Sequence, residues 1–128
     1  SIAIVNHYYW VRLGASESEA DQQVAANTSF LVPEFVEGSG SHVNITGLAV
    51  TKTADDLELV EQFAEFLLTE TGQSYITRDT KELPLLASTP LPDGVDQVPT
   101  FTASDTHLDV YGENQADAQR LFDLAGWN

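Results

Sequence analysis

The chain has 128 residues, enough for one compact domain with a modest core. Hydrophobic residues make up 42%, too many for a disordered chain, and no apolar run approaches the roughly 18 residues that would span a bilayer. Twenty Asp and Glu against five Lys and Arg give a net charge of −15, which repels phosphate backbones and anionic membrane surfaces and argues against nucleic acid as a partner. The acids are scattered along the chain (Glu17, Asp55, Glu65, Asp93, Asp109, Asp123), as on a solvated folded surface and unlike an acidic tail. With only Lys52 and Lys81 as lysines, the pattern resembles proteins of salt-loving organisms, whose surface charges are screened over short distances at molar salt. An ordinary acidic protein is the alternative. Cysteine is absent, which removes thiolate metal sites, disulfides and thiol nucleophiles together.

Ser1 to Val5 alternates and is rich in branched residues, so the pattern predicts a buried strand already under way at the first residue. Such an opening is expected of a fragment. Tyr8-Tyr9-Trp10 leads into a short helix that stops at Gly14, and Ser16 to Ala26 reads as a surface helix or loop. Ser29 to Val32 predicts a second strand, halted by Pro33, and Gly38-Ser39-Gly40-Ser41 a loop. Val43 to Thr51 has the length of a third strand. Thr53 and Asp56 match a capping box, opening a helix with Leu57, Val60, Ala64 and Leu67 on one face and Glu58, Glu61 and Glu65 on the other.

Thr69 is placed to cap the next helix, through Gln73, Tyr75 and Ile76, and Pro84 forces Leu83 into an extended conformation. Ala87 to Thr100, with its prolines and a glycine, predicts an irregular connection. The last helix runs from Asn114 to Ala125, capped by Asn114, burying Leu121, Phe122 and Ala125, and ended by Gly126. Strands alternating with helices indicate an α/β fold.

Asn6-His7-Tyr8-Tyr9-Trp10 is the one unusual cluster. It lies where a strand gives way to a helix, a place where free backbone amides and the helix dipole favour negative charge. An unaided phenol, with a pKa near about 10, is a poor ligand at neutral pH. A trivalent hard cation changes this by stabilising the phenolate directly, and hard cations prefer charged oxygen. Two adjacent tyrosines at such a corner can converge on one ion, so Tyr8 and Tyr9 suit Fe(III). From residue types alone, an aromatic plug at the junction, with hydroxyls bonded to backbone, is the favoured reading of the same residues. His42 and His107 fall in polar, exposed settings, and no HExxH, phosphate loop, nucleophile elbow or EF-hand pattern occurs.

Val5-Asn6-His7-Tyr8-Tyr9-Trp10 resembles the motif of ferric-iron-binding proteins of ABC transporters, in which a paired Tyr before Trp supplies two phenolate ligands. Later stretches are similar in order and spacing. Thr46-Gly47-Leu48-Ala49-Val50 resembles a strand that crosses between lobes; Phe63 to Leu68 with Gly72-Gln73 resembles the helices that follow. Glu82-Leu83-Pro84-Leu85 and Asn114 to Gly126 match the closing elements. These later patterns mark solute-binding proteins broadly, and only the Tyr pair points to iron.

The resemblance implies a partial two-lobed, class II periplasmic-binding-protein-like α/β fold, its carboxy-terminal part only. Residues 1–43 and 96–128 would then belong to the carboxy-terminal lobe and 44–95 to the amino-terminal lobe. It further implies Tyr8 and Tyr9 as metal ligands, Asn6 as a contact to a synergistic phosphate or carbonate, and His7 as a neighbour of the site without a direct ligand role. The implied function is extracytoplasmic Fe(III) binding and delivery to an ABC permease, with the export signal outside this chain. Two alternatives are a binding protein for an anion or small organic solute, and an enzyme using Tyr8 or His7 as acid or base, for which no activated partner is evident. Lacking most of one lobe, the chain by itself is expected to hold iron weakly and to self-associate, as a dimer.

Overall fold

A computed structural model describes residues 2–127. Six α-helices follow one another: α1 His7–Gly14, α2 Glu19–Ala26, α3 Leu57–Leu67, α4 Glu70–Thr80, α5 Asp109–Glu113 and α6 Gln115–Ala125, with a 3-10 turn at Val95–Gln97 before α5. By contacts the chain divides into two units, one of residues 1–32 with 44–100 and one of 33–43 with 101–128.

In the first unit α1 packs on α2 and α3 on α4. Val11, Ala25 and Val95 form its small apolar core, with Val95 only 1% exposed. Gly94 adopts φ +85, and a Cβ there would meet Val11 Cγ1 at 3.1 Å, so the turn needs glycine both for its backbone angle and for its approach to α1. Gln73 is buried with its amide used at both ends: Nε2 donates to Leu67 O at 2.7 Å and Oε1 accepts from Leu85 N at 2.8 Å. A buried amide satisfied in this way ties the segment around Leu85 to α4. In the second unit Ser41 and Ala103 form an isolated parallel bridge, Ser41 N donating to Thr102 O and Ser104 N to Ser41 O, each at 2.8 Å.

The expected helices stand where their local signals lie. Ser18 caps α2 through Asp21 N, Thr69 caps α4 through Gly72 N, and Gly126 ends α6 in the left-handed conformation at φ 67. Two caps differ from expectation. The cap of α3 is Asp56 itself, whose carboxylate accepts from Leu59 N at 2.9 Å, so Thr53 stays outside the helix and no capping box forms. Asn114 precedes α6 without a side-chain cap, because its Nδ2 donates backwards to Val110 O in the first turn of α5.

The strands are the larger correction. Ile2 to Val5, Ser29 to Val32 and Val43 to Thr51 are neither helical nor paired, and Ile2 is 98% exposed; Ser1 lies outside the described residues. A strand needs a partner's backbone, and none is present for these segments among the described residues. The same lack undoes the expected burial of Leu121, Phe122 and Ala125 on α6, which are all exposed. On α3, Val60, Ala64 and Leu67 are the best-covered residues, as the face predicts, while Leu57 stays 60% exposed.

The surface area makes the point quantitatively. At 14.0 kDa a folded monomer exposes about 6,700 Å² by the usual scaling, whereas this chain exposes 10428 Å². Treating the two units as separate compact bodies raises the scaling figure to only about 8,000 Å². The apolar faces are therefore uncovered for want of a partner.

The ion pairs of the described residues are Arg78–Asp79, His107–Asp109 and Arg120–Asp117, all exposed. Most of the twenty acids thus repel one another unrelieved. The thermal midpoint should rise from dilute buffer to molar KCl, where the screening length shrinks to about 3 Å; scanning calorimetry that gives a flat or falling midpoint would contradict the halophilic reading.

Candidate metal centre

The sequence Asn6 to Arg12 builds the site. Asn6 is extended (φ −71, ψ 146) and precedes α1, its carbonyl accepting from Tyr9 N at 3.2 Å. Tyr8 and Tyr9 fall within the first turn of α1, one step further into the helix than a corner position, and their rings still lie 4.6 Å apart at 50°. The two hydroxyl-bearing rings therefore share one end of the helix. Tyr8 is half-buried and Tyr9 is 53% exposed.

Tyr8 is held on several sides. Asn6 Nδ2 donates to its hydroxyl at 3.0 Å, the His7 ring meets it edge-on at 5.7 Å, and the Arg12 guanidinium carbon stands 5.3 Å from its ring centre. Partial burial is the main reason its phenol titrates above the ordinary value; the Tyr9 hydroxyl adds to the rise, the Asn6 amide opposes it, and the negative charge of Glu82 adds a little more. Without a cation, then, Tyr8 keeps its proton.

His7 also reaches away from the phenols. Its Nε2 donates to Lys81 O at 2.8 Å, since a carbonyl can only accept. Arg12 Nη2 donates to Thr80 O at 3.1 Å and, at 3.4 Å, to Asp79 O. Two side chains of α1 thus take up the free carbonyls that end α4, where a helix carries partial negative charge. Trp10 fastens the other side: Nε1 donates to Thr28 Oγ1 at 3.1 Å, and the indole lies 5.9 Å from the Phe30 ring. The aromatic run is both plug and platform, with Trp10 serving packing while Tyr8 and Tyr9 keep their hydroxyls at the helix start.

Tyr8, Tyr9, Asn6 and His7 are therefore brought together. His42 and His107 are not: His42 stacks edge-on against Tyr111 at 4.7 Å, and the exposed His107 lies 3.2 Å from Asp109. Among the described residues no group of three His, Asp or Glu side chains converges as a metal site would require. Two surface grooves, one along Glu70, Ser74 and Arg78 on α4 and one beside Val11, Ala25 and Gly94, are not lined by Tyr8 or Tyr9. Sequence reasoning missed Arg12, which stands over the Tyr8 ring one turn further along α1, and Lys81, whose carbonyl meets His7 because α4 ends against α1. The donor chemistry fits Fe(III): two adjacent phenols offer hard anionic oxygen once a cation displaces their protons.

No protein-family model matches the chain. Iron uptake protein A1 of Synechocystis sp. is 36% identical over 126 residues, spanning 98% of this chain and 35% of that protein. Iron uptake protein A2 of the same organism is 30% identical over 127 residues, spanning 98% of this chain and 37% of its own length. Among solved structures, the Trichodesmium IdiA (FutA) protein in complex with iron and citrate superposes with a TM-score of 0.87 at 34% identity, covering 97% of this chain and 39% of that one. The ferric binding protein of Campylobacter jejuni superposes at 0.81 and 26% identity, covering 98% and 39%. The fold is that of part of a class II periplasmic-binding-protein-like ferric-binding protein. The chain is a homologue of the iron uptake proteins and spans little more than a third of the length of those it matches.

Proposed function

We propose that the chain is the part of an extracytoplasmic Fe(III)-binding protein that carries two of its ligands, Tyr8 and Tyr9, and that the whole protein delivers iron to an ABC permease. The observation that carries this reading is the Tyr pair at one helix end, 4.6 Å ring to ring, in a chain homologous to iron uptake proteins. Iron is the cargo. Its capture replaces two phenol protons by one trivalent charge, and the Asn6 amide, already donating to Tyr8, has a second N–H to offer a synergistic anion such as phosphate or carbonate. His7 supports the site by fixing α1 against α4 through Lys81.

The two-lobed architecture is part of the same reading. Residues 44–95 would belong to the amino-terminal lobe and 1–43 with 96–128 to the carboxy-terminal lobe, with the segment from Val43 to Val50 crossing between them. The uncovered apolar residues of α3 and of that segment support it, because each would meet sheet that lies outside this chain.

The test is a ferric citrate titration of the natural protein at full length, following the phenolate-to-iron charge-transfer band. The band should appear, and because binding expels phenol protons, including the Tyr8 proton that burial holds on, apparent affinity should rise with pH. Two protons released correspond to about a hundredfold per pH unit, after correction for the competing citrate. A protein that stays colourless, or a band whose formation ignores pH, would overturn the assignment.

A further inference from the structure

Arg12 is one of five basic side chains set among twenty acids, yet it forms no ion pair among the described residues. Arg78 and Arg120 each pair with an aspartate on their own helix. Arg12 instead crosses from α1 to the end of α4, where its Nη2 donates to Thr80 O at 3.1 Å and, at 3.4 Å, to Asp79 O. His7, at the start of α1, donates Nε2 to Lys81 O at 2.8 Å. Three successive carbonyls that close α4 are thus taken by one helix, while Arg78, the basic residue in the last turn of α4, is held by the Asp79 carboxylate. Lys81 is also the only non-glycine residue with a positive φ among those described, at 63. Such a conformation persists where its surroundings hold it, and here the His7 bond does so. One residue on, Glu82 Oε1 accepts from the Thr46 hydroxyl at 2.7 Å, which fastens the same turn to the segment 43–50.

We propose that His7 and Arg12 are positioning residues that form a clasp between the two lobes, made as the cleft closes on iron, and that this clasp sets how long the ion is retained. The inference rests on the reading given under the proposed function, in which α1 belongs to the carboxy-terminal lobe, α4 to the amino-terminal lobe, and Tyr8 and Tyr9 to the ferric site. Two phenolates do not complete the shell of a hard cation, so further donors must approach α1 from the facing lobe. α1 carries the phenols at positions 8 and 9 and the clasp donors at positions 7 and 12, on either side of them. Whatever fixes α1 to the end of α4 therefore fixes the phenols against that lobe. The carbonyls form the negative end of the α4 dipole, and a guanidinium donating to them makes a charge-assisted bond. A clasp made only in the closed state adds its free energy to closure, so iron and clasp favour each other. Its loss is felt in release more than in capture.

The experiment uses the natural full-length protein, with ferric citrate as the probe. Arg12→Met keeps the length of the side chain but removes its donors, and His7→Leu removes the other donor. Arg12→Lys and His7→Gln each keep an N–H for the same carbonyls. Three quantities are compared: iron release into excess citrate by stopped flow, the energy of the phenolate-to-iron band, and the radius of gyration by X-ray scattering with and without iron. Wild type should contract when iron binds. Arg12→Met and His7→Leu should each release iron about tenfold faster, the effect of one such lost hydrogen bond. Their band should keep its energy, and their iron-loaded radius should lie nearer the iron-free value than in wild type. Arg12→Lys and His7→Gln should recover most of the retention. Release at the wild-type rate from both donor-free variants, or a wild type that does not contract, would overturn the clasp while leaving the ferric site intact. Faster release from Arg12→Met with a shifted band and full contraction would place the role of Arg12 at the Tyr8 ring and likewise overturn the clasp. A colourless wild type would overturn both.

Discussion

Replacing both Tyr8 and Tyr9 by Phe abolishes the orange-to-red colour that ferric citrate is expected to give the natural full-length protein. A phenyl ring fills the same space, so the stacking between positions 8 and 9 and the edge contact with His7 survive. What is lost is the oxygen, and with it both the anionic charge and the ligand-to-metal transition. The single variants separate the two rings. Tyr8→Phe also frees the Asn6 amide, which now donates to the Tyr8 hydroxyl at 3.0 Å, whereas Tyr9→Phe removes a hydroxyl from a ring 53% exposed. Absorption spectroscopy and citrate competition report the outcome; Fe(III) binding unchanged in the double variant would show that iron sits elsewhere.

The elements legible in the sequence are those set by neighbours a few residues away. Thr69 accepting from Gly72 N, and Gly126 closing α6 with a positive φ, are local signals, and each marks a real helix end. Even local reasoning slipped where two candidates competed: Asp56 captured the cap that Thr53 would have held. The strand patterns at Ile2–Val5, 29–32 and 43–51 call for pairing that only distant backbone can satisfy, and none pairs with them among the described residues. The chain nevertheless superposes on the Trichodesmium protein with a TM-score of 0.87.

The candidate site divides in the same way. Tyr8 and Tyr9 stand side by side in sequence, so their convergence and their likeness to a ferric motif could be read directly. His7 was visible as a neighbour, but its bond to Lys81 O joins residues seventy-four positions apart. Arg12 stands one turn from Tyr8 on α1, a spacing the sequence does contain. Its bonds to Asp79 O and Thr80 O depend on α4 ending against α1, a contact no window of sequence contains.

The same incompleteness sets the second large effect: by itself this chain should hold iron orders of magnitude more weakly than the full-length protein. Ferric ion takes about six donors, by analogy with other hard cations of six or more oxygens. On the proposed assignment, Tyr8 and Tyr9 with an anion near Asn6 would fill only part of that shell, leaving an open side through which citrate can strip the ion. Packing carries a parallel deficit. The chain exposes 10428 Å², about half as much again as a compact monomer of its mass. Leu57, Leu59, Phe63 and Phe66 of α3 and Leu68 at its end are all exposed, and the preceding segment at 44–51 is unpaired. Apolar faces of this extent associate, and unpaired strand segments invite pairing with another copy. A self-associated chain, dimer or larger, with an iron site emptied by dialysis against citrate, is the expected state. Light scattering is the discriminating measurement, because covering α3 with a second copy relieves the apolar exposure without adding a single iron ligand. A monomer at micromolar concentration, or one iron per chain surviving the dialysis, would mean that 128 residues suffice for both the fold and the site.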